Sequence, residues 1–248
     1  MKTLVIQSHK KDTQHTWLRL TLESVRAWSS LRGHDYRFFG DEIFEPLPSW
    51  FREKFVGMGA QCSDLARLLM IQKQLANGYE RVVWADADLL VFRPKDLSVP
   101  LVNDSVFGYE TWVDKDSKGK LRHWGHLHNA FMVFAKGSVV LPYLIYSIQS
   151  IARRIDKNKF SPQTFGPKLL GALHSISQFE VQPDVGALSP LVAKDVLDGG
   201  GEALNLFQRV QSQAPTALNL CLSLAQDPKD MALLCSMLTT DVDLFNAQ

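Results

Sequence analysis

The stretch VVWADADLLVF, residues 82–92, places two acidic side chains inside one of the most apolar runs of the chain. If the whole run is one strand, Asp86 and Asp88 point to the same face, because side chains alternate along a strand. Two carboxylates on one face repel each other unless a cation or a proton intervenes. The stretch therefore predicts a ligand site rather than a purely structural strand.

The bulk properties describe a globular chain with almost no net charge. Its 248 residues are 46% hydrophobic, which is enough to form the core of one large α/β domain. Lys and Arg number 27 against 26 for Asp and Glu, a net charge of +1. This balance argues against a nucleic-acid partner held by phosphate contacts.

Two features of the sequence bear on its cellular location. The three cysteines are an odd number without metal-site spacing, as is typical of buried thiols in a reducing compartment. The opening residues MKTLVIQSHKK predict a short strand, not a signal peptide, and no run of about 18 apolar residues could span a bilayer. We expect a cytoplasmic protein, with peripheral contact at the inner face of the membrane as the remaining option.

The first third of the chain reads as alternating strands and helices, the pattern of a sheet with crossover helices. We predict strands at 3–8 and 35–39, helices at 14–33 and 63–78, and then a buried strand at RVVWA. Ser63 is the expected N-cap of the second helix. Asp86 would then lie at the carboxyl end of a strand, where ligands bind in open α/β sheets.

The rest of the chain is less regular. Residues 101–128 read as a long polar loop suited to a lid or an acceptor platform, and Val113–His128 are expected to be mobile without ligand. A strand at 129–135 and helices at 139–155 and 168–175 follow. Gly199–Gly201 then separates a body of 1–198 from a mainly helical part, 199–248, within a single domain of 1–248.

Paired carboxylates at a strand end are hard oxygen ligands, which suit Mg²⁺ or Mn²⁺ better than zinc. On the preceding helix, Asp64 and Arg67 stand three residues apart and share a face. The structural alternatives are that one Asp caps the next turn, and that Asp64 and Arg67 form an ordinary surface ion pair.

Together, SDLAR (63–67) and YERVVWADADLLVF (79–92) closely resemble the S-D-x-x-R…Y-x-D-x-D signature of metal-dependent retaining glycosyltransferases. The resemblance is strongest to family 32, with kinship to family 8 and the glucosylating toxins. It implies a GT-A fold, an α/β architecture with a mixed central sheet flanked by helices. The implied reaction moves a hexose from a nucleotide sugar, a UDP-sugar above all, to a hydroxyl of a glycan or other acceptor. The expected setting is bacterial surface polysaccharide or glycan synthesis.

The resemblance also implies roles for individual residues. Asp88 would ligate Mn²⁺ or Mg²⁺ and Asp86 would contact the ribose or sugar beside it, while the metal acts as Lewis acid on the departing diphosphate. HNAFMVFA (128–135) resembles the family's strand with a donor-sugar Asn, and SPQTFGP (161–167) its turn beneath the anomeric carbon. The implied catalytic set is Asp86, Asp88, Asn129 and Gln163. The further donor-binding residues are Gln7, Ser8, Asp64, Arg67, Trp84, Ala87 and Thr164.

Two positions depart from the family pattern. Trp84 stands where a Tyr is usual. The C-terminal part offers no His or Trp as a further metal or diphosphate ligand, so Asn219 is the expected substitute, with Ser223 beside it. The alternative is that both are buried helix positions.

LRHWGHLHN (121–129) predicts the acceptor side of the cleft, with Trp124, His126 and His128 as acceptor-binding residues. Two alternatives remain open. His123, His126 and His128 could bind zinc, or Trp124 could pack into the core as an anchor.

Two other function classes also fit the acidic pair. Phosphohydrolases of the haloacid dehalogenase type begin with a similar D-x-D, but they place it at the first strand and not the third. They also favour Thr or Val two residues past the second Asp, whereas Asp88 is followed by Leu89 and Leu90. A non-catalytic sugar-binding relative is the other alternative.

Overall fold

A computed structural model describes residues 2–10, 15–100, 104–156, 159–225, 227–241 and 244–245. The strands are β1 Thr3–Ser8, β2 Asp35–Phe39, β3 Arg81–Ala85, β4 Leu89–Val91, β5 Ser105–Lys115, β6 Leu121–Ala135, β7 Glu180–Gln182, β8 Val185–Ala187 and β9 Ala217–Asn219. The helices are α1 Leu18–Leu31, α2 Ser49–Lys54, α3 Gly59–Ala76, α4 Val140–Arg154, α5 Pro167–Ser177, α6 Pro190–Leu197, α7 Glu202–Val210 and α8 Pro228–Thr240.

The main sheet has the order β2-β1-β3-β6-β5-β7 and mixes parallel with antiparallel pairs. β1 pairs in parallel with β2 and β3, and β6 runs antiparallel to β3 and β5. Along β1, Leu4 and Ile6 pack into one apolar cluster and Val5 into another. Both faces of the sheet are therefore covered, as is usual where crossover helices join parallel strands.

The stretch at 82–92 is two strands and not one, which corrects the sequence interpretation. β3 ends at Ala85, and β4 joins a separate three-stranded sheet of order β4-β9-β8. Asp86 and Asp88 lie in the turn between the two sheets. The turn closes with a hydrogen bond from Leu89 N to Asp86 O of 3.1 Å. The prediction that Asp86 follows the end of a strand is confirmed.

Helix α3 begins at Gly59, a full turn before the predicted start. Ser63 therefore lies inside the helix and caps nothing. The helix is buried along most of its length, and Leu65, Leu68 and Ile71 pack into the main core. That packing holds the neighbouring Asp64 and Arg67 below the turn that carries the acidic pair.

The segment predicted to be a mobile loop is a β-hairpin. β5 and β6 stay paired from Lys115 and Leu121 at the tip down into the main sheet. At the tip, the Asp116 carboxylate accepts hydrogen bonds from the backbone N of Lys118 and Lys120, at 2.9 and 3.0 Å. The polar residues thus form a tight turn of the kind that Asp and Gly favour, and Gly119 has φ +76° there.

The C-terminal part is helical as predicted, but it is not separate from the body. β9 lies between β4 and β8 in the second sheet, so residues after Gly201 complete the architecture around the acidic turn. Phe207 of α7 and Leu234 of α8 pack in one apolar cluster with Leu18 and Leu90. The boundary at 198/199 therefore does not separate two independently packed parts.

Two observations relate to the expected location. Cys62, Cys221 and Cys235 are free thiols. Among the described residues, no helix is both long and apolar enough to cross a bilayer. The cytoplasmic location stays a prediction.

Candidate active site

Asp86 and Asp88 lie between two hollows and line both. The first, the strand-end hollow, has a volume of about 160 Å³ and lies beyond the carboxyl ends of β1 and β3. Its walls include Ser8, Ser63, Arg67, Trp84, Ala87 and Leu222. The second, the hairpin hollow, has a volume of about 240 Å³. Its walls include Glu110, Trp112, His128, Asn129, Gln163 and Asn219.

Asp86 is held by the helix and strand beneath it. Arg67 Nη1 and Trp84 Nε1 both donate to its Oδ1, at 3.0 and 2.6 Å. The Arg67 guanidinium also lies 5.0 Å from the centre of the Trp84 ring. These contacts fix one carboxylate oxygen, and no described residue donates to the other. Arg67 of the SDLAR segment and Asp86 of the acidic pair are thus linked by a direct ion pair.

Asp88 is held by the segment that follows β9. Its Oδ1 accepts a hydrogen bond from Asn219 Nδ2 and its Oδ2 accepts one from Leu222 N, each at 2.8 Å. Burial, followed by the negative charge of Asp86, raises the pKa of Asp88 to about 6, although both hydrogen bonds favour the ionised form. A cation placed between the two carboxylates would offset the repulsion from Asp86 and favour the ionised form of Asp88.

Asn219 turns its NH₂ group, and not its oxygen, toward Asp88, and its expected role as a metal ligand stays a prediction. Its side-chain oxygen accepts a hydrogen bond from Cys221 N at 2.8 Å, while its NH₂ group faces Asp88. Turning the amide over would break both bonds and set two oxygens against each other. Asn219 therefore positions Asp88, and it lies at the end of a strand rather than in a helix.

The donor set fits a divalent cation that is shared with a ligand. Asp86 and Asp88 supply hard carboxylate oxygens. In the described part of the chain, no group of three His, Cys, Asp or Glu side chains could hold a metal ion. Mg²⁺ and similar ions commonly use one or two carboxylates and complete their shell with phosphate oxygens and water. Asp86 and Asp88 could therefore hold a divalent cation only together with oxygen ligands from outside their own pair.

The zinc alternative is wrong, because both ring nitrogens of His128 are engaged within the protein. His128 lines the hairpin hollow, and its acceptor-binding role stays a prediction. His128 Nδ1 accepts from Ala130 N at 3.2 Å, so Nε2 is left to donate to Val185 O at 2.9 Å. The ring is 4% exposed, and burial lowers its pKa, which keeps it neutral. A Cβ at Gly108 would lie 2.3 Å from this ring, so only glycine leaves room for it. His128 therefore joins β6 to β8.

Asp64 lies beneath the site and lines neither hollow. Its Oδ1 accepts from Asn129 Nδ2 at 2.7 Å and lies 3.6 Å from Arg67 Nη2. Burial raises the pKa of Asp64 to about 6, and the Arg67 charge opposes the rise. Asn129 does line the hairpin hollow, and its amide packs so closely against Gly166 that a Cβ there would lie 2.6 Å away. A direct contact of Asp64 with a donor sugar stays a prediction.

Gln7 is a further correction to the expected donor contacts. It is fully buried, with Nε2 donating to Asp86 O and Oε1 accepting from Tyr36 OH, both at 3.0 Å. It therefore supports the acidic turn from below. Ser8, the next residue, does line the strand-end hollow, together with Trp84 and Ala87.

The turn at 161–167 contributes unequally to the site. Gln163 is exposed and lines the hairpin hollow, and its expected place beneath the anomeric carbon stays a prediction. Thr164 lines neither hollow; its backbone N donates to Ser161 O within the turn. Its role as a donor contact stays a prediction.

The hairpin brings in residues that the sequence reasoning missed. Glu110 and Trp112 of β5 line the hairpin hollow and lie opposite His126 and Trp124 of β6. Trp124 is 40% exposed, so the alternative that it packs into the core is wrong. Pairing the alternation in 105–115 with that in 121–135 would have found these residues, but the loop interpretation hid it.

No family model matches this sequence, and no curated protein matches it. Among solved structures, the chain is similar to a glycosyltransferase involved in the glycosylation of the major capsid of PBCV-1. The identity is 13%, the match covers 96% of this chain and 100% of that chain, and the TM-score is 0.53. A protein from STIV shares 10% identity over 71% of this chain and 78% of its own, at a TM-score of 0.32 that supports no argument. The chain therefore has the GT-A fold that the sequence resemblance implied.

Proposed function

We propose that this protein is a metal-dependent retaining glycosyltransferase that moves a hexose from a UDP-sugar to an acceptor hydroxyl. The observation that carries the proposal is the position of Asp86 and Asp88, which form a common wall between two hollows. A nucleotide sugar has a diphosphate between its nucleoside and its sugar. An acidic pair that would hold a cation between two cavities matches that order.

The strand-end hollow is the proposed nucleotide side. It lies at the carboxyl ends of parallel β1 and β3, which is where nucleotides bind in open α/β sheets. Ser8, Ala87 and the edge of Trp84 are available there to the ribose and base. The hairpin hollow would then receive the hexose, with the amides of Asn129 and Gln163 as hydrogen-bond partners for its hydroxyls.

Asp86 and Asp88 would hold Mn²⁺ or Mg²⁺, which when bound neutralises the diphosphate and supplies Lewis-acid assistance to its departure. The chain's own contribution is preorganisation. Arg67 and Trp84 fix one oxygen of Asp86, and Asn219 with the Leu222 amide fixes Asp88. Carboxylates held in this way need little rearrangement when the donor binds.

Retention is the part of the proposal that rests on the motif resemblance. Asn129 and Gln163, the polar groups expected nearest the anomeric carbon, are neutral amides and poor nucleophiles. Attack by the acceptor on the face that the diphosphate leaves is therefore favoured over a glycosyl-enzyme intermediate. The anomeric configuration of the first-formed product, measured by NMR, tests this step directly.

The proposal is tested by incubating the protein with a panel of UDP- and GDP-sugars and Mn²⁺, and measuring release of nucleoside diphosphate. We expect turnover of a UDP-hexose that stops in EDTA and in Asp88→Asn. The matched control is Asp198→Asn, an exposed acidic residue at the end of α6, which should behave like the unchanged protein. Full activity in EDTA, or turnover of a simple phosphate ester without any nucleotide sugar, would contradict the proposal.

A further inference from the structure

Glu110 is an acidic residue inside the cleft, and it has no role in the reaction proposed above. It lines the hairpin hollow together with Asp88, Asn129 and Gln163. Within the described residues its carboxylate has no hydrogen-bond or ion-pair partner. Glu110 is half-buried, and this burial raises the pKa of its carboxyl to about 7. Such a group is typical of a functional site rather than a structural one.

Among the described residues, no cationic side chain forms an ion pair with Glu110. From β6, His126 lies opposite on the same face and is exposed, while the neighbouring His128 ring is buried and neutral. The same hollow is also lined by Asp86 and Asp88 of the acidic turn and by Cys221, which follows β9. Burial first, then the charges of Asp88, Glu110 and Asp86, raise the pKa of that thiol well above its ordinary range. Among the described residues, the lining of the hollow includes no Lys or Arg.

The face that carries Glu110 continues outward along the hairpin as an aromatic surface. Trp112 follows two residues later on the same side of β5, and Trp124 pairs with it across the strands. Trp112 is half-buried at the hollow and Trp124 is exposed. Flat indole rings beside a carboxylate suit a ligand with apolar faces and hydroxyl edges, which describes a sugar.

We propose that Glu110 binds the attacking acceptor hydroxyl and accepts its proton, with Trp112 and Trp124 forming the surface for the rest of a carbohydrate acceptor. The inference rests on the proposed glycosyltransferase function. The new bond joins the acceptor oxygen to the anomeric carbon, and the bond from that carbon to the diphosphate oxygen breaks with its electron pair. The hydroxyl proton passes to the Glu110 carboxylate and then to water after the product leaves.

The experiment uses the UDP-hexose that the donor screen identifies, with water as the acceptor, across a range of pH. In the unchanged protein the rate should fall as the pH is lowered through about 7, because Glu110 must be ionised to accept a proton. Glu110→Gln should lose about 100-fold or more in rate and lose this acid limb. Glu110→Asp should keep the limb. The affinity for the UDP-hexose with Mn²⁺, measured by calorimetry, should change less than about twofold.

Asp114→Asn is the matched control, since Asp114 lies on the same strand and face but at the exposed end of the hairpin. It should leave rate and pH profile unchanged. An unaltered profile in Glu110→Gln would overturn the inference, as would a parallel loss of donor affinity or a sugar covalently bound to Glu110. If the unchanged protein turns over no donor, the proposed function itself fails. If it turns over the donor and Glu110→Gln keeps the same rate and pH profile, only this inference fails.

Discussion

Replacing Arg67 by methionine would leave two carboxylates without the cation they share. Arg67 Nη1 donates to Asp86 Oδ1 at 3.0 Å and to Asn129 O at 2.9 Å, and Nη2 lies 3.6 Å from Asp64 Oδ1. Only 10% of the Arg67 side chain and 8% of the Asp64 side chain are exposed. Methionine keeps much of the apolar stem, so the substitution removes the charge with little loss of packing.

The expected cost follows from this burial. Removing one partner of a buried ion pair typically costs about 3–5 kcal/mol, because the remaining charge stays buried and uncompensated. For a chain of this size, 1 kcal/mol shifts the melting temperature by about 2–4 °C. We therefore expect Arg67→Met to lower the melting temperature by roughly 6–20 °C at neutral pH.

The loss should depend on pH through Asp64. Its folded-state pKa is raised to about 6 from an ordinary 3.8, so its ionised form destabilises the fold as the pH rises through this window. Arg67 opposes that rise, and removing it raises the folded-state pKa of Asp64 further. At about pH 4.5 Asp64 is protonated in both folded proteins, so this extra cost largely disappears. The destabilisation should therefore be larger at about pH 7.5 than at about pH 4.5.

The assay is urea unfolding followed by far-UV circular dichroism at both pH values, for the single variants and for the double variant with Asp64→Asn. The Asp64→Asn side chain can still accept the hydrogen bond from Asn129. The substitution also removes the buried negative charge that Arg67→Met leaves without a partner. We expect it to rescue Arg67→Met by about 0.5–3 kcal/mol. Arg209→Met, an exposed control on α7, should change stability by less than about 0.5 kcal/mol. Equal destabilisation at both pH values together with additive variants would refute the reasoning.

Three further predictions concern the site itself. Asp88→Asn should abolish the rise in melting temperature that Mn²⁺ with UDP produces in the unchanged protein, measured by thermal scanning; a retained rise would contradict a metal site here. Gly166→Ala should lower transfer tenfold or more, which is about 1.4 kcal/mol or more, because a Cβ would lie 2.6 Å from Asn129 Nδ2. The same change at exposed Gly171, where a Cβ meets nothing within 4 Å, should have no effect in the same assay. Trp124→Ala should lower transfer to a glycan acceptor while sparing donor hydrolysis and melting temperature, and a parallel fall in all three would count against its acceptor role.

Several parts of this site could be predicted from the sequence because the signals are local. The apolar run before Asp86 predicts a buried strand that ends there, and the spacing of Asp64 and Arg67 places both on one face of a helix. Such patterns depend only on the period of the backbone and on near neighbours. The acidic pair, its supporting helix and the α/β class therefore came from the sequence alone.

Other interpretations failed where the deciding contact is distant along the chain. The polar composition of the hairpin tip predicts a loop over residues 101–128. The conformation of this segment is instead decided by the pairing of β5 with β6. Gln7 looked accessible at the end of β1, yet Tyr36 and the acidic turn bury it from two sides. Burial of this kind depends on which elements meet, and a single strand does not contain that information.

The tertiary structure alone decided how the two carboxylates are held and what faces them. Asn219 reaches Asp88 across 131 positions of sequence, and its amide orientation follows from a hydrogen bond to Cys221 N. Glu110 faces the same cleft because β5 lies beside β6 in the main sheet and the bulge after Phe107 shifts the register of their pairing. Local periodicity determined which residues could carry charge at the strand end. The folding of the second sheet and the hairpin against that end determined which of them meet, because only packing brings such distant segments within hydrogen-bond range.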